Sequence, residues 1–127
     1  MGSDWVRDVA DFHEKYLVDI PNQPEGMLIE AQELHRMKLF LEEFKEFCDA
    51  VEKKDFVEYV DAIGDMIYIL IGTALSCGVD LRPIWDAIHV SNMKKIPPLH
   101  AGQKVRKPDG WEPPKIDEIL QNQGWNR

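Results

Sequence analysis

The part of the sequence that decides the fold is residues 65–78, which read Asp-Met-Ile-Tyr-Ile-Leu-Ile-Gly-Thr-Ala-Leu-Ser-Cys-Gly. Residues 66–75 are apolar on all sides of a helix, which is typical of a central, buried helix rather than one at the surface. Asp55 can cap the start of this helix, and Gly78 can end it. The pattern predicts a helix from about residue 55 to residue 77.

Three further helices are predicted around this one. Helical apolar spacing predicts a first helix over residues 4–18 and a second over residues 28–53, separated by prolines and a glycine. Asp80 can cap a fourth helix over residues 80–95. The apolar stripe of the second helix, which we expect to be buried against another surface, consists of Met37, Leu41, Phe44, Cys48 and Val51.

The chain has 127 residues, of which 44% are hydrophobic, and this is enough for one packed core. We therefore expect a single domain over residues 1–127, with a helical core at about residues 4–96 and an extended, Pro-rich tail at residues 97–127. A weak helical signal remains at residues 116–121. Since no segment shows two-residue alternation, the expected fold is all-α, a four-helix-type bundle.

The net charge of −8 has the wrong sign for a nucleic-acid-binding protein. Chemistry on a small phosphate compound would need bound cations to reverse the local field. The longest uncharged stretch, residues 66–79, has 14 residues and is too short to suggest a membrane span. Since residues 1–6 show no signal core, we expect a cytoplasmic protein that contacts no membrane.

Acidic side chains form one stripe on each of the two long helices. At 100° per residue, Glu43 and Glu46 lie about 60° apart on the second helix. Asp61 and Asp65 share one face of the third helix with Glu58, again within about 60°. A solvated face is the ordinary interpretation of such a stripe, and for Glu42, Glu43 and Glu46 alone it is the favoured one.

Asp65 favours a different interpretation, because the segment that follows it is apolar. An unpaired buried carboxylate costs several kcal/mol unless a cation or a proton neutralises it. The sequence has no lysine or arginine between Lys54 and Arg82, so the third helix cannot supply that cation. A divalent ion between the two acidic stripes is one solution, and an all-oxygen ligand set suits Mg²⁺ or Mn²⁺.

Four segments resemble the all-α nucleoside triphosphate pyrophosphohydrolase superfamily, the group of MazG, phosphoribosyl-ATP pyrophosphatase and dimeric dUTPase. Residues 42–46 match its Glu-Glu-x-x-Glu motif, and residues 64–68 are similar to the Asp-centred second half of its signature. Residues 91–95, Ser-Asn-Met-Lys-Lys, and residues 107–114 resemble a MazG-like, HisE-like branch found in bacteria and phages. The resemblance spans about residues 12–120.

The resemblance implies a Mg²⁺-dependent hydrolase that cleaves a (d)NTP between the α and β phosphates, with dUTP or dCTP as favoured substrates, for house-cleaning or nucleotide-pool control. It implies Glu43, Glu46 and Asp65 as metal ligands, with Glu42 as a further ligand or the group that orients the attacking water. Glu42, Glu43 and Glu46 are the expected catalytic residues. Members with Glu-x-x-Asp have a glutamate where this chain has Ala62, so Asp61 or Glu58 would replace it, and Asp61 is preferred because it is closer to Asp65.

Substrate contacts are expected elsewhere in the chain. Asn92 and Lys95 share a face of the fourth helix and can bind sugar or phosphate oxygens. Lys104 in the tail can close over the phosphates. Contacts to the edge of the base are expected from a group near the first helix: Arg36, His13, Asn22 and Gln23.

Two expectations concern assembly and the competing function. A helix that is apolar all round needs more surface than one small chain offers, so we expect a homodimer or homotetramer, as the resemblance also implies. The alternative function is a non-enzymatic helical interaction module whose acidic face binds a basic partner.

Overall fold

Five α-helices make up the regular structure of the computed structural model, which describes residues 2–127. They are α1 (Trp5–Lys15), α2 (Glu30–Lys53), α3 (Phe56–Ser76), α4 (Leu81–Met93) and α5 (Ile116–Asn122). The predicted all-α class is confirmed. The predicted boundaries of α2, α3 and α4 agree within about two residues, and α5 lies where the helical signal was weak.

Aspartates cap three of the helices, because a carboxylate accepts a hydrogen bond from a backbone N–H that has no partner within the helix. Asp4 Oδ1 accepts from Arg7 N at 3.0 Å at the start of α1. Asp55 Oδ1 accepts from Glu58 N at 3.1 Å and Asp80 Oδ1 from Arg82 N at 3.0 Å, as predicted for α3 and α4.

The connection between α2 and α3 consists of two residues, Lys54 and Asp55. Lys54 has a left-handed backbone (φ 56°) and Asp55 is the cap of α3, so the chain reverses at once. Such a short connection makes the two helices antiparallel neighbours. α3 packs against α2 along its length and against α1 on another side.

The apolar core within one chain is small. Val6 and Val9 of α1 pack with Ile71 and Leu75 of α3 to form its main cluster. The predicted stripe of α2 does not join this cluster. Each of its members is exposed, for example Leu41 at 60%, and the residues of α2 that face α3 are offset from the stripe.

The expectation that residues 66–75 are central and buried is met on part of α3 only. Ile71 and Leu75 are buried, whereas Leu70 is 52% exposed and Ile67 and Tyr68 are also exposed. By length and composition α3 qualifies as a membrane-spanning helix, and 22% of its apolar window is buried. The core helix of a soluble protein satisfies the same criterion, and α3 packs against two other helices here.

α4 packs chiefly on α5 and on the C-terminal segment. The side-chain amide of Gln123 accepts from Asp80 N at 3.0 Å and donates to Asp80 O at 2.9 Å, which joins α5 to the start of α4. Trp111 Nε1 donates to Ser91 O at 2.8 Å near the end of α4. These contacts hold part of the tail against α4.

The turn after α3 depends on Gly78. Its φ of +76° is left-handed, and a Cβ at this position would collide with the carbonyl oxygen of Gln23. Gly78→Ala should therefore lower the free energy of unfolding by more than about 2 kcal/mol, through backbone strain plus the collision. Gly102 is the matched control, since it has φ +83° but open space around it.

Chemical denaturation of both variants checks this prediction. Gly102→Ala should cost only about 1 kcal/mol, the strain alone. Equal losses in the two variants would contradict the proposed packing of residue 23 against the turn.

Candidate active site

The carboxylates of Glu43 and Glu46 on α2 meet those of Asp61 and Asp65 on α3 across the helix pair. We call these four residues the acidic cluster. Since α2 and α3 are antiparallel, residues 43 and 46 lie opposite residues 65 and 61, and each pair of acids occupies neighbouring turns of its helix. The two acidic stripes therefore face each other and not opposite sides of the chain.

Glu43 lies at the centre of the acidic cluster. Burial raises its pKa to about 7, helped by its contact with Glu46 and by the negative charges of Asp65 and Asp61. Its buried atom Oε2 has no hydrogen-bond partner among the described residues. Glu43 thus accounts for one orphaned acceptor at the point where the carboxylates converge.

Asp65 responds to the same surroundings. Burial raises its pKa, and the charges of Asp61 and Glu46 raise it further. No arginine or lysine is among the groups acting on Glu43 or Asp65. The acidic cluster consequently holds like charges with no cationic side chain among the groups that act on Glu43 and Asp65.

Asp61 acts on both Glu43 and Asp65, whereas Glu58 acts on neither. The backbone N–H of Glu58 instead belongs to the cap of α3. Glu42 is exposed on α2 and is not among the groups that act on Glu43. The geometry favours Asp61 over Glu58 as the fourth member of the cluster.

The donor set of the acidic cluster fits Mg²⁺, because all four groups offer oxygen atoms and the orphaned Glu43 Oε2 lacks a partner. Within residues 2–127, however, no three acidic, histidine or cysteine side chains are close enough together to hold an ion in their present positions. Carboxylates without a cation repel one another, which keeps these side chains apart. To complete a metal site, the side chains must move closer together when a cation binds.

Arg36 lies on α2 seven residues before Glu43, on the same side of the helix. Its Nη2 donates to Ser76 Oγ of α3 at 3.1 Å. His13 of α1 reaches the same place, since a Cβ on Gly72 would lie 3.0 Å from both His13 Nε2 and Arg36 Nη1. These contacts join α1, α2 and α3 at one point.

Asn22 and Gln23, the other base-contact candidates, lie in the connection between α1 and α2. Gln23 packs against Gly78 and Gly124, and Asn22 is exposed in the connection before α2. His13 is only 2% exposed, so it is a buried residue of α1.

The three candidates near the C-terminus lie with α4 and the tail. Lys95 Nζ is 5.1 Å from the ring centroid of Trp111, which Lys107 Nζ also approaches at 4.9 Å. Asn92 and Lys104 are exposed. None of these residues is among the groups that act on Glu43 or Asp65, so the structure does not bring them to the acidic cluster within one chain.

Two features of this region were missed in the sequence. The hydrogen bond that Ser76 Oγ accepts from the guanidinium of Arg36 was not predicted. Trp111 was part of a tail motif but had no assigned contact, and it lies between two lysines. For the contact between Arg36 and Ser76, the sequence offered one signal. Arg36 lies seven residues before Glu43 and Gly72 lies seven residues after Asp65, so both share a helix face with the acidic residues.

The raised pKa of Glu43 predicts a pH-dependent stability in the absence of metal. Between about pH 4.5 and 7 the folded state keeps a proton that the unfolded state has released, so stability falls as the pH rises through this interval. Glu43→Gln removes this cost. It should raise Tm by a few degrees at pH 8 and have little effect at pH 4.5, both in EDTA.

Thermal unfolding followed by circular dichroism measures this difference. Glu52→Gln, at an exposed position of α2, is the control and should show the same Tm change at both pH values. If Glu43→Gln also shifts Tm equally at both pH values, the assigned surroundings of Glu43 are wrong.

Residues 9–92 match the phosphoribosyl-ATP pyrophosphohydrolase family, and these residues include the acidic cluster and Arg36. No curated protein matches the chain significantly. Members of the family are pyrophosphohydrolases that act on nucleotide pyrophosphate bonds, within the all-α MazG-like superfamily. The chain therefore belongs to the phosphoribosyl-ATP pyrophosphohydrolase family and is a nucleotide pyrophosphohydrolase.

Proposed function

We propose that the protein is a Mg²⁺-dependent enzyme that hydrolyses a (d)NTP between the α and β phosphates, for house-cleaning or nucleotide-pool control in the cytoplasm. Mn²⁺ is an alternative metal. The observation that carries this proposal is that the carboxylates of Glu46, Asp61 and Asp65 act on Glu43, whose buried Oε2 has no partner, without any cationic side chain among them. Family membership favours this enzyme over the non-enzymatic interaction module.

Each member of the acidic cluster has one task in this proposal. Glu43, Glu46 and Asp65 would hold the metal. Asp61 would replace the glutamate that members with Glu-x-x-Asp have at the position of Ala62. When bound, Mg²⁺ supplies positive charge for the phosphates and lowers the pKa of water. Glu42, being exposed next to the cluster in sequence, orients a water molecule and accepts its proton.

The bond changes follow from the products. The oxygen of water bonds to the α phosphorus as the bond from that phosphorus to the α–β bridging oxygen breaks. Nucleoside monophosphate and pyrophosphate leave, and no side chain becomes covalently attached. Suitable substrates to compare are dUTP and dCTP, the other common (d)NTPs, and phosphoribosyl-ATP, which the family description names.

We propose that a second copy of the chain buries the exposed apolar residues in an interface. Leu41 on α2 and Leu70 on α3 are more than half exposed, and so are several of their neighbours. Surface of this kind usually marks an interaction site, and a homodimer or homotetramer buries it. We propose that Asn92, Lys95 and Lys104 reach the substrate only in this assembly, because within one chain they lie apart from the cluster.

Removing one carboxylate of the cluster should abolish turnover. Asp65→Asn and Glu46→Gln keep the shape of the side chain but lose charge, so kcat/KM should fall by more than about 100-fold. The measurement is pyrophosphate release from a panel of nucleotides with Mg²⁺, and Glu52→Gln should retain wild-type activity. Orthophosphate as the first product, or full activity in both cluster variants, would contradict the proposal.

The assembly is tested by sedimentation equilibrium at micromolar concentration. We expect a mass of two or four times 14.7 kDa. Leu70→Glu should weaken the assembly, since it places a charge in the proposed apolar contact. A stable wild-type particle of 14.7 kDa would contradict it.

A further inference from the structure

Arg36 is held in place by contacts from two other helices. Ser76 Oγ accepts a hydrogen bond from Arg36 Nη2 at 3.1 Å. The missing side chain of Gly72 leaves the space that Arg36 Nη1 and His13 Nε2 share. The guanidinium therefore has a defined position, and it retains N–H groups that no described protein atom accepts.

The charge of Arg36 has no anionic partner within residues 2–127. The ion pairs of these residues involve the other arginines: Arg7, Arg82 and Arg127. Burial lowers the pKa of Arg36, and burial together with Arg36 lowers that of His13, so His13 is neutral at pH 7. A half-buried cation without an anionic partner is costly, and a ligand oxygen that accepts from its remaining N–H groups would relieve that cost.

Arg36 also lines a cavity of about 630 Å³ between the α1–α2 connection, the first turns of α2 and the end of α3, which we call the arginine cavity. Ser76 and Cys77 lie on its wall beside Arg36, and Leu28 is among its apolar residues. This volume lies within the usual range for small-molecule sites, about 300–1,000 Å³. The cavity is thus large enough for a nucleobase and has both apolar and polar walls.

Arg36, on the wall of the arginine cavity, lies about two helical turns along α2 from the acidic cluster. Arg36 precedes Glu43 by seven residues and Gly72 follows Asp65 by seven, which corresponds to about 10 Å along both helices. A nucleotide whose phosphates lie at the cluster can extend its base in this direction. The cavity is also lined by the carboxylates of Asp19 and Glu25, which disfavour a phosphate but not a neutral base.

We propose that Arg36 selects the base of the substrate and favours an exocyclic carbonyl oxygen over an exocyclic amine. This inference rests on the proposed function and names the substrate class for that same site. A guanidinium only donates hydrogen bonds, so it pairs with a carbonyl oxygen, which accepts them. An exocyclic amine also donates, so it cannot accept a hydrogen bond from the guanidinium. The preferred substrates are dUTP over dCTP and dITP over dATP, pairs of equal ring size.

The test compares kcat/KM within each matched pair for wild type, Arg36→Met and Arg36→Lys. We expect a preference of about tenfold or more for the carbonyl base in wild type. Arg36→Met should bring the ratio close to one, and Arg36→Lys should keep part of it. Lys38→Met, at an exposed position of the same helix, is the control and should leave the ratio unchanged.

A binding measurement separates this inference from the hydrolytic function. Calorimetry in EDTA should show that wild type binds dUMP more tightly than dCMP, and that Arg36→Met binds the two equally. Ser76→Ala, which removes the partner of Nη2, should reduce the same preference if Arg36→Met does not fold.

The outcomes are distinct. No hydrolysis of any nucleotide would refute the proposed function, while a dUMP preference that depends on Arg36 would still support the base selection. Hydrolysis or binding without a carbonyl preference, or a preference that Arg36→Met retains, would overturn the selection and leave the hydrolytic function intact.

Discussion

Repulsion between carboxylates on facing helices is the constraint on which the structure of this site depends. The reversal at Lys54 and Asp55 makes α2 and α3 antiparallel, and this brings Glu43 opposite Asp65. Burial keeps water from fully solvating Glu43, so its pKa is about 7, and its Oε2 is an acceptor without a donor. Such a site costs stability in the empty protein and gains it when a cation binds.

The α2–α3 pair presents negative charge at one position along its axis and positive charge at another, and we call these positions levels. The acidic cluster occupies one level, and Arg36, fixed by Ser76 above Gly72, occupies a level about 10 Å away. A nucleotide has matching chemistry at its two ends, since its phosphates require cations and its base offers neutral hydrogen-bonding groups. The seven-residue spacing on both helices keeps these two levels on one side of the pair.

The features that local sequence determines could be predicted. The caps Asp55 and Asp80, the end of α3 near Gly78 and the facing acids follow from residue type and helical spacing. The contact of His13 with Gly72 and Arg36 could not be predicted, because it depends on how α1 crosses α3. The stripe containing Leu41 was recognised as apolar, but amphipathic spacing does not reveal which molecule covers it, and within one chain it is exposed.

The central claim is that these helices hold a divalent cation between them. Its most direct test is a crystal structure with Mn²⁺, in which anomalous scattering identifies the metal. We expect an anomalous peak that places one Mn²⁺ ion within bonding distance of Glu43, Glu46 and Asp65, with Asp61 as a direct or water-mediated ligand. A saturating Mn²⁺ concentration that leaves this gap without a peak, or a peak only at other carboxylates, would contradict the claim.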